Sequence, residues 1–247
     1  MSISPTKDPH GVLAEMQQNG SYVSGDHIVY KASTHGEKYL DKDAHLKAPG
    51  VAPKIVNLLS EKVPEGAIVI APETRSEVKL GRDVAHIVHG RLVTTQKNEQ
   101  DIHTFSPEMI KILQENRYRV LVDDILNNGE TLRQVQKALA ELGFSLHSFH
   151  VMVDRNPAFS DTINVPLHAL ATVQMDQWNE TDVPEKLKKK PISTKLGKGR
   201  NWVPKPGQEL SMQFYLERLH KENLGFHLDD NMKVRQMDVD QFILVDR

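Results

Sequence analysis

Residues 119–131 read Arg-Val-Leu-Val-Asp-Asp-Ile-Leu-Asn-Asn-Gly-Glu-Thr, and this order of residue types leaves few folds open. A short apolar run reaches two adjacent carboxylates, continues through two more apolar residues and enters a polar loop with one glycine. Leu132, Val135, Leu139 and Leu142 then recur at helical spacing. Continuous apolar strands belong to parallel sheets covered on both faces. Ligands of such sheets bind outside the carboxyl ends of the strands, and a loop that opens a helix offers backbone N–H groups to an anion. Carboxylates inside an apolar run are costly to bury unless something satisfies them. The natural guest is a sugar phosphate. Asp123 and Asp124 can accept hydrogen bonds from a ribose diol and hold the waters of a magnesium ion. Asn127, Asn128 and Thr131 add side-chain donors, and Gly129 permits a left-handed turn or a close approach.

The rest of the chain supplies a sheet for this strand. Val12, Leu13 and Met16 suggest a short helix, and 26–41 reads as strand, turn and strand. A helix follows over 53–62. Ala67–Ala71 is a second continuous apolar run, and the polar loop Pro72-Glu-Thr-Arg-Ser76 leads from it into a helix, with Ser76 as its cap and a stripe of Val78, Val84, Ala85 and Val88. Leu92–Thr94 is a third strand, 96–107 a polar aperiodic loop of the kind that covers substrates, and 144–153 a further strand after Gly143, which suits a helix C-terminus. Repeated strand–helix–strand units predict a doubly wound, mostly parallel α/β sheet flanked by helices. We expect one α/β domain over 1–155, including small N-terminal hood elements. Residues 156–247, punctuated by prolines, read as a C-terminal extension packed on the core or at a dimer interface, with Met212, Tyr215, Leu216 and Leu219 on one helical face.

Composition narrows the chemistry. The 247 residues contain no cysteine, which excludes disulfides, thiolate metal sites and cysteine nucleophiles. A net charge of -2 gives no general attraction to nucleic acid. The basic stretch Lys186–Arg200 lacks interleaved aromatic residues on which bases could stack and reads as a solvated loop. No apolar run approaches the roughly 20 residues of a membrane span, and the first residues lack a signal peptide's apolar segment, so the expected location is the cytoplasm. His86 and His89 stand at i, i+3 on the predicted helix and could bind a metal, but no third ligand is evident and they read as surface or packing residues. His147 and His150 fall on opposite faces of a strand and cannot converge on one ion.

The stretch Val-Leu-Val-Asp-Asp-Ile-Leu-Asn-Asn-Gly-Glu-Thr resembles the phosphoribosyl-pyrophosphate (PRPP) motif of type I phosphoribosyltransferases: apolar residues, two acids, two apolar residues, two hydroxyl residues, Gly, any residue, Thr. The family's hydroxyl pair is here Asn127-Asn128. More weakly, and in the same order, His27–Tyr39 is similar to the opening of orotate phosphoribosyltransferases, without their Ser-Gly pair, and Val153-Asp-Arg155 to a later strand end. Altogether the resemblance covers about residues 26–155. It implies that Asp123 and Asp124 hold the ribose hydroxyls and, through them or water, a magnesium ion, and that Asn127, Asn128, Gly129, Glu130 and Thr131 wrap the 5′-phosphate. It implies further that Glu73, Thr74, Arg75 and Ser76 form a pyrophosphate loop and that Lys97 stands near the start of a mobile catalytic loop. Arg75 and Lys97 become candidates for pyrophosphate charge, and His103 for proton transfer; with Asp124, Lys97 and His103 form the expected catalytic set. The implied activity is magnesium-dependent transfer of ribose 5-phosphate from PRPP to a nitrogenous base, an orotate-like pyrimidine favoured, by a homodimer. Two alternatives stay open: a non-catalytic sensor of PRPP or a nucleotide, and a Rossmann-like enzyme acting on another sugar phosphate.

Overall fold

The computed structural model describes residues 6–30, 32–115, 117–190, 192–193, 195–199, 226–228 and 234–236. The chain divides into two compact units, Tyr22–Leu40 with Met175–Arg247, and Met1–Ser21 with Asp41–Gln174.

In the first unit β1 (Tyr22–Val29) and β2 (His35–Leu40) form an antiparallel hairpin whose register slips between Ser24 and Ile28. Ile28, Val29 and Leu40 are buried, and His27 Nε2 lies 2.8 Å from His35 Nδ1. A helical turn at Glu185–Lys188 buries Leu187. Its Lys186 pairs with Glu37 at 3.1 Å and Lys188 with Glu185 at 2.9 Å, so part of the basic stretch is matched by acids. The backbones of Phe226–Leu228 and Val234–Gln236 pair antiparallel. The helical face expected at Met212, Tyr215, Leu216 and Leu219 lies outside the described residues.

The second unit opens with α1 (Val12–Gln18), which buries Val12, Leu13 and Met16 as their spacing predicts. Next come α2 (Lys42–Lys47), α3 (Val51–Ser60), β3 (Ile68–Ala71), α4 (Arg75–Ile87), β4 (Arg91–Thr94), β5 (Gln96–Lys97), β6 (His103–Thr104) and α5 (Pro107–Leu113). β7 (Arg119–Leu126), α6 (Glu130–Glu141), β8 (Ser148–Asp154), α7 (Pro157–Ser160) and β9 (Leu167–Thr172) complete it. Five strands make one sheet in the order β4-β3-β7-β8-β9, every neighbouring pair parallel. This is the expected parallel α/β sheet, with the acid-bearing β7 at its centre. β9 extends it past residue 155, where the sequence reading placed the change to an extension; the run is short and its polar His168 breaks the apolar pattern.

Burial explains why the strands read as continuous apolar runs. Every residue of β3 and β8 is buried, because helices cover both faces. Leu132, Val135 and Leu139 of α6 and Leu113 of α5 pack in one cluster with Ile68, Ile70, Leu121, Phe149 and Val151 of the sheet. α4 contacts β3 and β7. Its approach is close: a Cβ on Gly81 would stand 2.6 Å from the Cβ of Ala71, so only glycine fits.

Three local expectations are corrected. Thr74, not Ser76, stands at the N-cap of α4, and its side chain makes no capping bond; Ser76 is already the second helical residue. The 96–107 segment is not an aperiodic loop. Gln96 and Lys97 pair with Thr104 and His103 as a small hairpin, closed by the Asn98 side chain, which accepts from the N–H groups of Gln100 and Ile102 at 3.0 Å each. Ser106 then caps α5, with Pro107 at its first position. Finally, α4 ends at Ile87, so His89, at φ 49°, lies beyond the helix rather than one turn from His86 along it.

Candidate functional site

At the carboxyl end of β7 the chain places Asp123 and Asp124, only 6 % and 3 % exposed. Asp123 Oδ1 accepts the backbone N–H of Asp124 at 2.8 Å. Glu77, buried in the first turn of α4, brings a third carboxylate, and one oxygen from each of the three acids lies within 4.8 Å of the others. Among the described residues one cation answers them. Lys42, the first residue of α2, donates to Glu77 Oε1 at 3.0 Å and forms an ion pair with Asp124 Oδ2. Asp41 fixes the start of that helix, its carboxylate accepting from Ala44 N at 2.9 Å.

The charges in this pocket are not balanced, and the proton affinities show it. Burial first, then the neighbouring charges of Asp124 and Glu77, push the Asp123 carboxyl well above the usual range. Burial also lifts Asp124, but the Lys42 ammonium opposes it and holds the value at about 6. Burial alone would lower Lys42; the Asp124 and Glu77 carboxylates outweigh it and raise the ammonium above its ordinary value. Three carboxylates in this arrangement suit a hard divalent cation such as magnesium, which takes oxygen ligands.

Immediately after β7, Asn127 and Asn128 are exposed, and Gly129 adopts φ 71°, ψ 15° at the N-cap of α6. A left-handed residue there turns the chain from strand into helix and points the first helical N–H groups out of the loop. Phe159 of α7 lies over this turn, so a Cβ on Gly129 would meet the ring at 2.0 Å. Asn128 Oδ1 accepts from Glu130 N at 3.1 Å and thereby occupies one loop donor. The Glu130 side chain faces along its own helix, bonded to Gln134 at 2.8 Å and Arg133 at 3.1 Å.

The β5–β6 hairpin is tied to both neighbouring loops. Lys97 N donates to Glu73 Oε2 at 2.9 Å, and His103 N donates to Gln134 Oε1 at 3.0 Å. The Lys97 ammonium faces Asp101 within the hairpin at 2.7 Å. His103 is buried at the hairpin base with Nδ1 2.7 Å from Thr95 Oγ1; burial and then the charge of Lys97 keep its pKa below the ordinary value. Thr74 is exposed, with Oγ1 3.5 Å from Ser76 Oγ. The Arg75 side chain lies outside the described residues.

The expected acids thus meet in one pocket, with the glycine loop continuing directly from their strand. Of the expected cations, Lys97 is engaged in its hairpin and not in the acid cluster. Lys42 and Glu77 are the residues that sequence reasoning missed. Glu77 carried a signal, because Glu77, Leu80 and Val84 share the buried face of α4, and a carboxylate on an apolar stripe needs a partner. Lys42 carried none, since only the fold brings it beside Asp124.

No family model and no curated protein matches this sequence. Solved structures do match the fold. Orotate phosphoribosyltransferase from Aeropyrum pernix shares 17 % identity and a TM-score of 0.52, with 66 % of this chain and 93 % of that one covered. UMP synthase from Leishmania donovani shares 13 % identity and a TM-score of 0.51 over 66 % of this chain and 36 % of that one, so this chain spans about a third of that protein. The sheet order, the acid pair ending its central strand and the glycine turn after it stand together with these likenesses: the chain has the type I phosphoribosyltransferase fold.

Proposed function

We propose that the chain is a phosphoribosyltransferase that moves ribose 5-phosphate from PRPP to a nitrogenous base, an orotate-like pyrimidine favoured, and releases pyrophosphate. One observation carries this reading: two buried carboxylates near the carboxyl end of the central strand are followed within five residues by a left-handed glycine turn that opens a helix. The first feature suits a ribose diol and the second a 5′-phosphate. Asp123 and Asp124 hold the hydroxyls, while the loop from Asn127 to Thr131 binds the phosphate. Glu73 to Ser76 face the pyrophosphate, with Arg75 supplying charge. Asp123, Asp124 and Glu77 are the residues that would hold a magnesium ion, whose chemistry is to neutralise charge on the departing pyrophosphate.

The transition state has oxocarbenium character, so catalysis rests on alignment, charge and exclusion of water. Asp124, a buried carboxylate, is the group that stabilises positive charge on the sugar in this reading. The β5–β6 hairpin is the lid, and Lys97 and His103 are its working groups. Both ends of the Lys97–Asp101 pair are exposed, and such pairs contribute roughly 0–1 kcal/mol, so redirecting the ammonium toward pyrophosphate costs little. His103 exchanges its bond to Thr95 for the base or its proton. The functional unit is a homodimer, which light scattering of the purified chain would show as twice the chain mass.

The test is pyrophosphate release from PRPP with magnesium and a panel of bases that includes orotate. Release with at least one base is expected. Asp123→Asn and Asp124→Asn should each slow it on the order of a hundredfold, the size of losing one preorganised electrostatic partner. No release with any base, together with unchanged PRPP affinity in both variants, refutes the reading. A second reading, a sensor that binds PRPP or a nucleotide without turnover, is favoured by one contact: Asn128 takes the Glu130 N–H that a phosphate would use. PRPP binding by calorimetry without pyrophosphate release would select it.

A further inference from the structure

Lys42 answers an acid cluster that a divalent ion would otherwise claim. Its ammonium bridges Asp124 on β7 and Glu77 on α4, while Asp123 completes the acids facing it. The side chains of Asp124 and Glu77 are 4 % and 10 % exposed, so water cannot take over the neutralising role. The Lys42 side chain is 30 % exposed. Its backbone is anchored in the capped first turn of α2, while the flexible four-carbon stem beyond that anchor is partly exposed. A magnesium ion needs its oxygen ligands at about 2.0–2.1 Å. Two of the three acids that would supply them already hold the ammonium, and a dication beside the ammonium would meet like charge.

We propose that Lys42 is the resident counter-cation of this cluster and keeps a divalent ion out until an anionic ligand draws the ammonium away. On the functional reading above, on which this second clause rests, that ligand is the diphosphate of the sugar. Binding is therefore ordered: the ion enters with the phosphorylated sugar or after it, never before. The lysine changes partners, from carboxylate to phosphate, as the hydroxyls and the ion take over the acids.

The experiment titrates manganese, a paramagnetic stand-in for magnesium, into the full chain without PRPP and reads bound metal by electron paramagnetic resonance. The wild-type chain should bind weakly. Lys42→Met and Lys42→Gln should bind one ion roughly tenfold or more tightly, since affinity in such sites follows uncompensated ligand charge. Lys42→Arg should behave as wild type, and adding Asp124→Asn to Lys42→Met should remove the gain. Equal affinity in wild type and Lys42→Met overturns the proposal.

A measurement on the wild-type chain needs no variant to fold. Acetylation of Lys42, followed by peptide mass spectrometry, should be unchanged by magnesium alone. A rise with magnesium alone means that the ion expels the ammonium unaided, which also overturns the proposal. A change in Lys42 acetylation is expected when PRPP is added with magnesium. Failure of PRPP to bind either alone or together with magnesium, with the metal-only results as expected, counts against the phosphoribosyltransferase reading and leaves the counter-cation standing.

Discussion

Gly129→Ala tests the geometry of the phosphate loop, because two separate physical terms oppose it and a second substitution removes only one. Gly129 has φ 71°, where an alanine Cβ crowds the following carbonyl, at a cost of about 1–2 kcal/mol. The same Cβ would stand 2.0 and 2.1 Å from the Phe159 ring, so the ring or the loop must move. Overpacking of this kind costs roughly 1–3 kcal/mol. The sum predicts a loss of about 2–5 kcal/mol in the wild-type background. Removing the ring with Phe159→Ala leaves only the backbone term, so Gly129→Ala should then cost about 1–2 kcal/mol. The assay is a double-mutant cycle by urea denaturation with the slope held common to all four chains. If Gly129→Ala costs the same in both backgrounds within about 0.5 kcal/mol, Phe159 does not hold this turn and the loop geometry is wrong. The same four chains also separate fold from function, since the altered turn should lower PRPP affinity even where Phe159→Ala has removed the clash with the ring.

Two further perturbations follow from the site. Asp124 has its carboxyl lifted from 3.8 to about 6, chiefly by burial, so its contribution to stability is full below about pH 4 and is lost as pH rises toward 6. That swing is about 3 kcal/mol at roughly 1.4 kcal/mol per pH unit, and Asp124→Asn should therefore be more resistant than wild type to urea at pH 8 and lose its advantage near pH 4; a variant weaker than wild type at pH 8 contradicts the assignment. Gln134 joins the hairpin base to α6 by accepting from His103 N and donating to Glu130. Gln134→Ala removes both bonds, and the His103 amide should exchange with solvent roughly five- to tenfold faster, as expected for a loss of about 1 kcal/mol of local stability, while amides of β7 keep wild-type rates.

The parts of this fold that the sequence announces are those whose burial is uniform. β3 and β7 read as strands because both faces of the central sheet are covered, almost every position is buried and the residues around the two acids of β7 are apolar. β9 is an edge strand of mixed burial, and its Leu-His-Ala-Leu-Ala-Thr has neither a continuous run nor a clean alternation. α5 carries its signals, a Ser106 cap, Pro107 at the first position and Met109, Ile110 and Leu113 at helical spacing, but at 7 residues it is too short for a periodic pattern to stand out. The hairpin within that loop is held by one asparagine side chain and two ladder pairs, which no periodicity can reveal. In the site, Asp123 and Asp124 were legible because carboxylates inside an apolar run demand an explanation. Their partners were not, because Lys42 and Glu77 lie 82 and 47 positions before Asp124 and meet it only through tertiary packing.

That separation bears on what the pocket is for. An isolated buried ion pair is weak support for stability, since desolvation offsets much of the attraction. Here the imbalance is larger: among the described residues three acids face one ammonium, and two of the acids have raised proton affinities even with the lysine in place. A fold selected only for stability would gain by replacing such a cluster with apolar residues of similar volume. Retaining it at the end of the central strand, where sheets of this kind meet their ligands, makes sense if a ligand completes the charge balance. A polyhydroxyl sugar with a cation satisfies carboxylates, and a phosphate satisfies a displaced ammonium. The order of events inferred for Lys42 is then the same electrostatic argument read in time: the protein keeps a provisional counter-charge on its own chain and releases it when the ligand brings a better one.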